Sequence, residues 1–206
     1  MSNQGNQFEI AAHGSDDNIS VMRKKEQLSK VLSSGFQYWM GHVANWSIVL
    51  TLFTLAITSE SPLSSWQWVV LPLLGFFIWT LTEYVFHRWG YHKNESFFAV
   101  GHLMHHEDPM ALLGMPWILN VLAMSAATAL LVYGLGVSVA AASISVASFW
   151  FGHIWYSLVH HGIHHWNFQF AWFRELKKHH KIHHKVPDKN LGVTTIFWDR
   201  LFGSRV

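Results

Sequence analysis

The 206-residue chain contains no cysteine, which removes thiolate nucleophiles, disulfides and sulfur metal ligands at once. Any metal it binds must be held through nitrogen and oxygen. Charge is also scarce: Asp, Glu, Lys and Arg make up 13% of the residues against 50% apolar, a balance that suits lipid better than water. The first 20 residues have no apolar run and include Asp16 and Asp17, so no secretory signal is expected there. Lys and Arg are missing from whole regions. All fourteen fall in the first 30 residues, around Arg88 and Lys93, or from Arg174 onward.

The apolar residues that are present come in four bunches: Phe36 to Thr58, Trp66 to Phe86, Met115 to Gly134 and Val137 to Val159. Each is about the ~20 residues a helix needs to cross a bilayer. Four crossings put every basic group on one side, and the two opposite loops, "SESPLSS" and the turn near "GLG", hold none. By the positive-inside rule both termini are cytoplasmic. That asymmetry also accounts for the basic pI of 8.9 without a nucleic-acid partner. Residues 1–35 read as a flexible basic leader and 36–206 as one membrane domain. Small residues on the third and fourth spans, among them Ala126, Ala127, Ala140 and Ser143, predict a tight hairpin between those two.

Histidine is in excess, with sixteen residues, thirteen of them in the two stretches 87–115 and 160–206. Residues at i, i+3 and i+4 share one face of a helix. His102, His105 and His106 have that spacing. So does the run "KKHHKIHH", where either His179 or His180 can open the pattern completed by His183 and His184. His160 and His164 form an i, i+4 pair. His87 and His92 lie five apart, which splays them on a continuous helix, and Gly90 between them predicts a helix end and a bend. One metal takes at most about six ligands and commonly four, so ten converging imidazoles suit two ions. Nitrogen-rich ligation favours iron, zinc, copper or nickel over magnesium and calcium. His13, His42 and His153 stand outside these patterns.

Glu83 is an acid one turn before His87 in an apolar span, where an ionisable group is costly unless partnered. It is expected to orient a ligand by accepting an imidazole N–H rather than to bind metal itself.

The segments "EYVFHRWGYH", "GHLMHHEDP", "HHGIHH", "KKHHKIHH" and "LGVTTIFWDRLFGS" resemble, in order and spacing, the fatty acid hydroxylase superfamily of sterol desaturase-type membrane enzymes, nearest its fatty acid 2-hydroxylase branch. The resemblance covers about residues 80–206. It implies an all-α integral membrane protein, four transmembrane helices carrying a cytosolic histidine-rich helical cap with a dinuclear metal site. The implied site is a diiron centre, which zinc is expected to be able to occupy in purified protein. The implied reaction uses O2 and two electrons to hydroxylate an acyl chain or other lipid. Sterol or carotenoid hydroxylation and desaturation are alternatives on the same centre, and a non-catalytic zinc or copper binder is the alternative of another class. Carried over residue by residue, the implied ligands are His87, His92, His102, His105, His106, His160, His164, His180, His183 and His184. Glu83, His161 and His165 are expected to surround them. His161 and Ser157 depart from the tyrosine and acidic residue common in relatives. No "HPGG" of a fused cytochrome b5 domain occurs, so electrons are expected from an external donor of cytochrome b5, ferredoxin or reductase type.

Overall fold

A computed structural model describes residues 26–92 and 97–206, and the first 25 residues of the leader expected over 1–35 lie outside them. The described part is all helical. Residues 26–32 form a short helix whose last residue, Leu32, is 1% exposed, so packing begins before the leader was expected to end. The Leu32 carbonyl accepts from Gly114 N–H at 2.9 Å, which ties this turn to the chain after the next cap helix.

The long helices are α1 (Gly35–Thr58), α2 (Gln67–Val85, continuing as a π-helical turn Phe86–Tyr91), α4 (Trp117–Ala129, with a π turn Leu130–Gly134) and α5 (Val139–His165). The shorter α3 (Phe97–Glu107), α6 (Ala171–His183) and α7 (Phe197–Leu201) lie between and after them. Three helical stretches, Gly35–Thr58, Gln67–Tyr91 and Trp117–Gly134, are long and apolar enough to cross a membrane by length and composition. Their outer faces carry large exposed apolar side chains such as Phe53, Leu73, Phe77 and Leu122, which a water-facing surface would not leave in a continuous belt.

α5 is the longest helix, at 27 residues, and it packs mainly against α1 and α2. Being surrounded by protein, it can be built from Ala, Ser and Gly, and this leaves it less apolar than its neighbours. Its small residues serve the approach of α2 more than the expected hairpin with α4, where Ala147 still packs with Met124. They let α2 approach: a Cβ added to Gly75 would lie 2.8 Å from the Ser145 carbonyl, and one on Gly152 would lie 2.5 Å from Trp79 Cβ. Ser138 caps α5 by accepting from Ala141 N–H at 3.3 Å, after a turn in which Gly136 takes φ +68°. Leu52, Met124, Val146, Ala147 and Trp150 form the core where α1, α4 and α5 meet.

α6 is amphipathic. Phe173, Leu176, His180 and His183 face inward while Arg174, Lys178 and Lys181 are exposed. The C-terminal segment folds back beneath it. Leu191, Val193, Trp198 and Asp199 are buried there, and Asn190 holds φ 55° at the turn.

Candidate metal centre

His87 and His92 face the same point because α2 does not stop at Gly90. It widens into the π turn Phe86–Tyr91, with His92 immediately after it. A π turn brings residues five apart one above the other, as an α-turn does for residues four apart. The expected bend at Gly90 is thus replaced by a wider helix. On α5 the i, i+4 pair His160 and His164 achieves the same with ordinary helical geometry.

All ten histidines carried over from the resemblance gather into two groups. In the first, His102 Nε2 lies 3.1, 2.9 and 3.0 Å from Nε2 of His87, His92 and His106, and His183 Nε2 lies 2.9, 3.2 and 3.1 Å from the same three. In the second, His180 Nε2 lies 3.0 Å from each of His160, His164 and His184, and His184 lies 3.1 Å from His105. The rings of His105 meet those of His160, His164 and His184 at 4.4, 4.6 and 4.8 Å between centroids.

The two groups are related by an approximate two-fold exchange of α3 and α6. α3 gives His102 and His106 to the first and His105 to the second, while α6 gives His180 and His184 to the second and His183 to the first. The pairs His102–His183 and His105–His180 each stand 6.0 Å apart between ring centroids, at opposite poles of their groups. His87 with His106, and His160 with His184, are the pairs not in ring contact.

These distances discriminate between coordination types. Metal–imidazole bonds of about 2.0–2.1 Å place nitrogens at right angles about 2.9 Å apart and tetrahedral ones about 3.4 Å apart. The observed separations fit the right-angle case, with two poles and three equatorial nitrogens. Imidazole lone pairs converging this closely repel unless a cation lies among them, so the donor set fits one ion in each group.

The rings are also held ready as neutral donors. Burial first, and then His106, His92 and His184, bring His183 down to about 3 despite its bond to the Lys189 carbonyl. Burial, then His184 and His92, bring His106 to about 4. Nδ1–H of His183 donates to the Lys189 carbonyl at 2.9 Å, which fixes the tautomer and leaves Nε2 free to face its group.

The residues expected around the ligands behave differently. Glu83 is 5% exposed, but no imidazole is among its partners. One carboxyl oxygen accepts Val193 N–H at 2.6 Å and Thr194 N–H at 3.0 Å, and the other accepts the Thr194 hydroxyl. It staples the C-terminal loop to α2 instead of orienting a ligand. His161 meets the Tyr38 hydroxyl through Nδ1 at 2.8 Å, and His165 stacks on His161 at 4.2 Å, so neither contacts the two groups by hydrogen bond. Their side of α5 faces α1.

Behind the groups lies a pair of which spacing offered one member, His179, only as an alternative to His180, and did not single out the other, Asp199. His179 is turned away from the groups and donates from Nε2 to Asp199 at 3.0 Å. Asp199 is fully buried and also accepts from Leu191 N–H (2.8 Å), Gly192 N–H (2.7 Å) and the Ser204 hydroxyl (2.7 Å). Burial alone would raise its pKa, but the bonds from His179, Ser204, Gly192 and Leu191 outweigh that and hold it low. This knot shapes the 189–192 turn that holds His183. Only the run "FWDRLFGS" hinted at it.

Beside the groups lies a cavity of about 210 Å³, lined by His102, His105, His160 and His164 together with Gly41, Asn45 and Asn120. Tyr91 stacks on His102 at 4.9 Å and Tyr156 on His160 at 5.5 Å, so each group has one tyrosine at the cavity edge.

The chain is similar to a dihydroceramide fatty acyl 2-hydroxylase of Arabidopsis thaliana, FAH2, with 28% identity over 74% of this chain and 67% of the relative. It is 31% identical to a second from that plant, FAH1, over 66% of this chain and 60% of the relative. The ceramide very long chain fatty acid hydroxylase SCS7 of Saccharomyces cerevisiae is 32% identical over 81% of this chain but only 45% of its own length. This chain therefore spans between roughly half and two thirds of these curated relatives. The solved structure of full-length scs7p, in which only the hydroxylase domain is visible, superposes with a TM-score of 0.67 at 30% identity, over 82% of this chain and 66% of that one. The fatty acid hydroxylase family model matches residues 72–204, a range that contains all ten histidines of both groups. On that match the chain belongs to the fatty acid hydroxylase family, whose members named here are oxidoreductases.

Proposed function

We propose that this protein is a membrane oxygenase that hydroxylates the acyl chain of a membrane lipid, using O2 and two electrons from an external donor protein. The observation that carries the reading is the pair of five-imidazole groups beside a cavity at the inner end of apolar helices. α5 is the fourth span on this reading, both termini and the cap of α3, α6 and α7 are cytoplasmic, and the basic residues lie on that side. The relatives' names, which specify ceramide and dihydroceramide, support an amide-linked acyl lipid as substrate.

His87, His92, His102, His106 and His183 would hold one ion and His105, His160, His164, His180 and His184 the other. Two iron ions would supply the oxygen activation that no side chain of this chain can provide. In the balance of the reaction one oxygen atom enters a C–H bond. The other leaves as water with two electrons from the donor and two protons. The protein's own contribution is positioning. The Lys189 carbonyl fixes the ring of His183, the Asp199 knot fixes the turn that carries this carbonyl, and the cavity beside the groups positions the reacting carbon.

The test is lipid analysis of membranes from cells with and without the gene, grown under isotopically labelled dioxygen. A lipid heavier by one labelled oxygen atom is expected. A lipid lighter by two hydrogens would make the enzyme a desaturase, and no altered lipid with exchangeable zinc or copper would make it a metal binder.

A further inference from the structure

We infer that the hydrocarbon tail of the substrate follows the seam between α1 and α4, leaving the cavity at the histidine groups past Gly41 for a membrane-facing groove, and that Gly41 keeps this path open. This rests on the lipid-hydroxylase reading above.

Gly41 is buried in α1, where glycine costs about 1 kcal/mol relative to alanine. Helical glycines in such a bundle normally permit close packing, as Gly75 and Gly152 do here. Gly41 has no such reason, because a Cβ built on it meets no atom within 4 Å. The open space in front of it is the cavity that His102, His105, His160 and His164 also line. At about 210 Å³ that cavity is smaller than the roughly 300–1,000 Å³ of pockets that enclose a whole ligand. It has room for the reacting end of a lipid and not for a long tail.

The tail has somewhere to go. Across the α1–α4 seam lies a groove of about 640 Å³, running from Met40 and Trp117 to Leu55 and Tyr133. Met40 and Leu55 are fifteen helical steps apart on α1, about 22 Å at 1.5 Å per residue, out of a hydrocarbon core of ~30 Å. Its lining includes the small side chains Ala44, Ser47, Ser125 and Thr128, which leave a furrow between the helices, over buried Leu52, Met124 and Ser143. Between groove and cavity stands a polar clasp: Asn120 donates to Asn45 Oδ1 at 3.1 Å, and Trp150 Nε1 donates to the same oxygen at 3.1 Å. Polar side chains in lipid hold helices together when they find partners, so the clasp shuts the seam at that depth. Gly41 lies one helical turn closer to the histidines than Asn45. The inferred path therefore crosses the seam at Gly41, on the histidine side of the clasp.

Two arms test this with full-length protein in phosphatidylcholine nanodiscs. In the first, an amide-linked acyl lipid with a diazirine midway along its tail is photo-crosslinked and the labelled peptides are mapped. Labels within 40–55 and 117–133 are expected, whereas labels spread over the outer face of α2, or over all spans alike, would overturn the inference. In the second, Gly41→Ala, Gly41→Leu and Gly41→Phe are compared for hydroxylation and metal content. Added bulk in an apolar site is worth about 10–200-fold. Rates should therefore fall stepwise, by at least tenfold at Phe, with metal per chain unchanged. A Gly41→Phe variant working at the wild-type rate would overturn the inference. Crosslinking needs no turnover. Labelling in the groove of a protein that oxidises no lipid would overturn the hydroxylase reading and leave this one standing.

Discussion

Asp199→Asn isolates the part of the site that lies behind the imidazoles. Each carboxylate oxygen of Asp199 accepts two bonds, Oδ1 from Leu191 N–H and the Ser204 hydroxyl, Oδ2 from Gly192 N–H and His179. Asparagine has the same shape but must turn an NH2 toward one of these pairs. The Ser204 hydroxyl can rotate to accept, and His179 can change tautomer, but a backbone N–H cannot adapt. In either orientation one buried amide is left without an acceptor, at about 1–3 kcal/mol, and the remaining bonds lose their charge assistance. The total is about 2–4 kcal/mol of stability. The damage should be felt first in the 189–192 turn, and hence at His183, whose Nδ1–H is held by the Lys189 carbonyl. Loss of a partner behind a metal ligand typically costs about 10–100-fold in metal affinity. A chelator titration followed by thermal unfolding in detergent measures both. The expected outcome is earlier loss of the ion held by the group containing His183, with a lowered melting temperature. A variant that keeps both metals under the same chelator, and melts with the wild type, would refute the role assigned to Asp199.

Two further outcomes follow from the same contacts. Glu83→Gln retains an acceptor for the Val193 and Thr194 amides and can donate to the Thr194 hydroxyl, so it should cost about 1 kcal/mol. Glu83→Ala strands both amides and should cost about 2–5 kcal/mol, a contrast that urea unfolding in detergent resolves. For metal-free protein, stability should decline as pH drops below about 6.5, where unfolded histidines gain protons. The folded chain refuses them until about 4 at His106 and about 3 at His183. Each such histidine contributes up to about 1.4 kcal/mol per pH unit across that window. A melting temperature flat from pH 7 to pH 5 in the metal-free protein would contradict this.

Helical phase is a local property, and so it was legible. The HX2HH runs at 102–106 and 180–184 and the pair at 160 and 164 announced shared faces without any knowledge of the fold. What sequence could not express is which faces meet. That α3 and α6 each divide three histidines between the two groups depends on how distant helices cross. The spacing of five between His87 and His92 reads as a mismatch on an α-helix and becomes a match only on a π turn, which nothing in "FHRWGYH" announces. Glu83 was found for a sound reason, an ionisable residue in an apolar helix, yet its partners proved to be amides 110 and 111 positions away. His179 and His180 are neighbours with the same chemistry. Only the buried Asp199 on one side and the imidazoles on the other tell them apart. The small residues of α5 were read as a partner for α4, although small size says that some helix approaches and not which one.

The account depends on two separate groups of imidazoles each holding one ion, and counting metal in purified protein tests that directly. Wild-type chain should carry two ions, His87→Ala one and His160→Ala one, with the double variant retaining none. A wild-type chain with one ion or none, or single variants that both keep two, would contradict it.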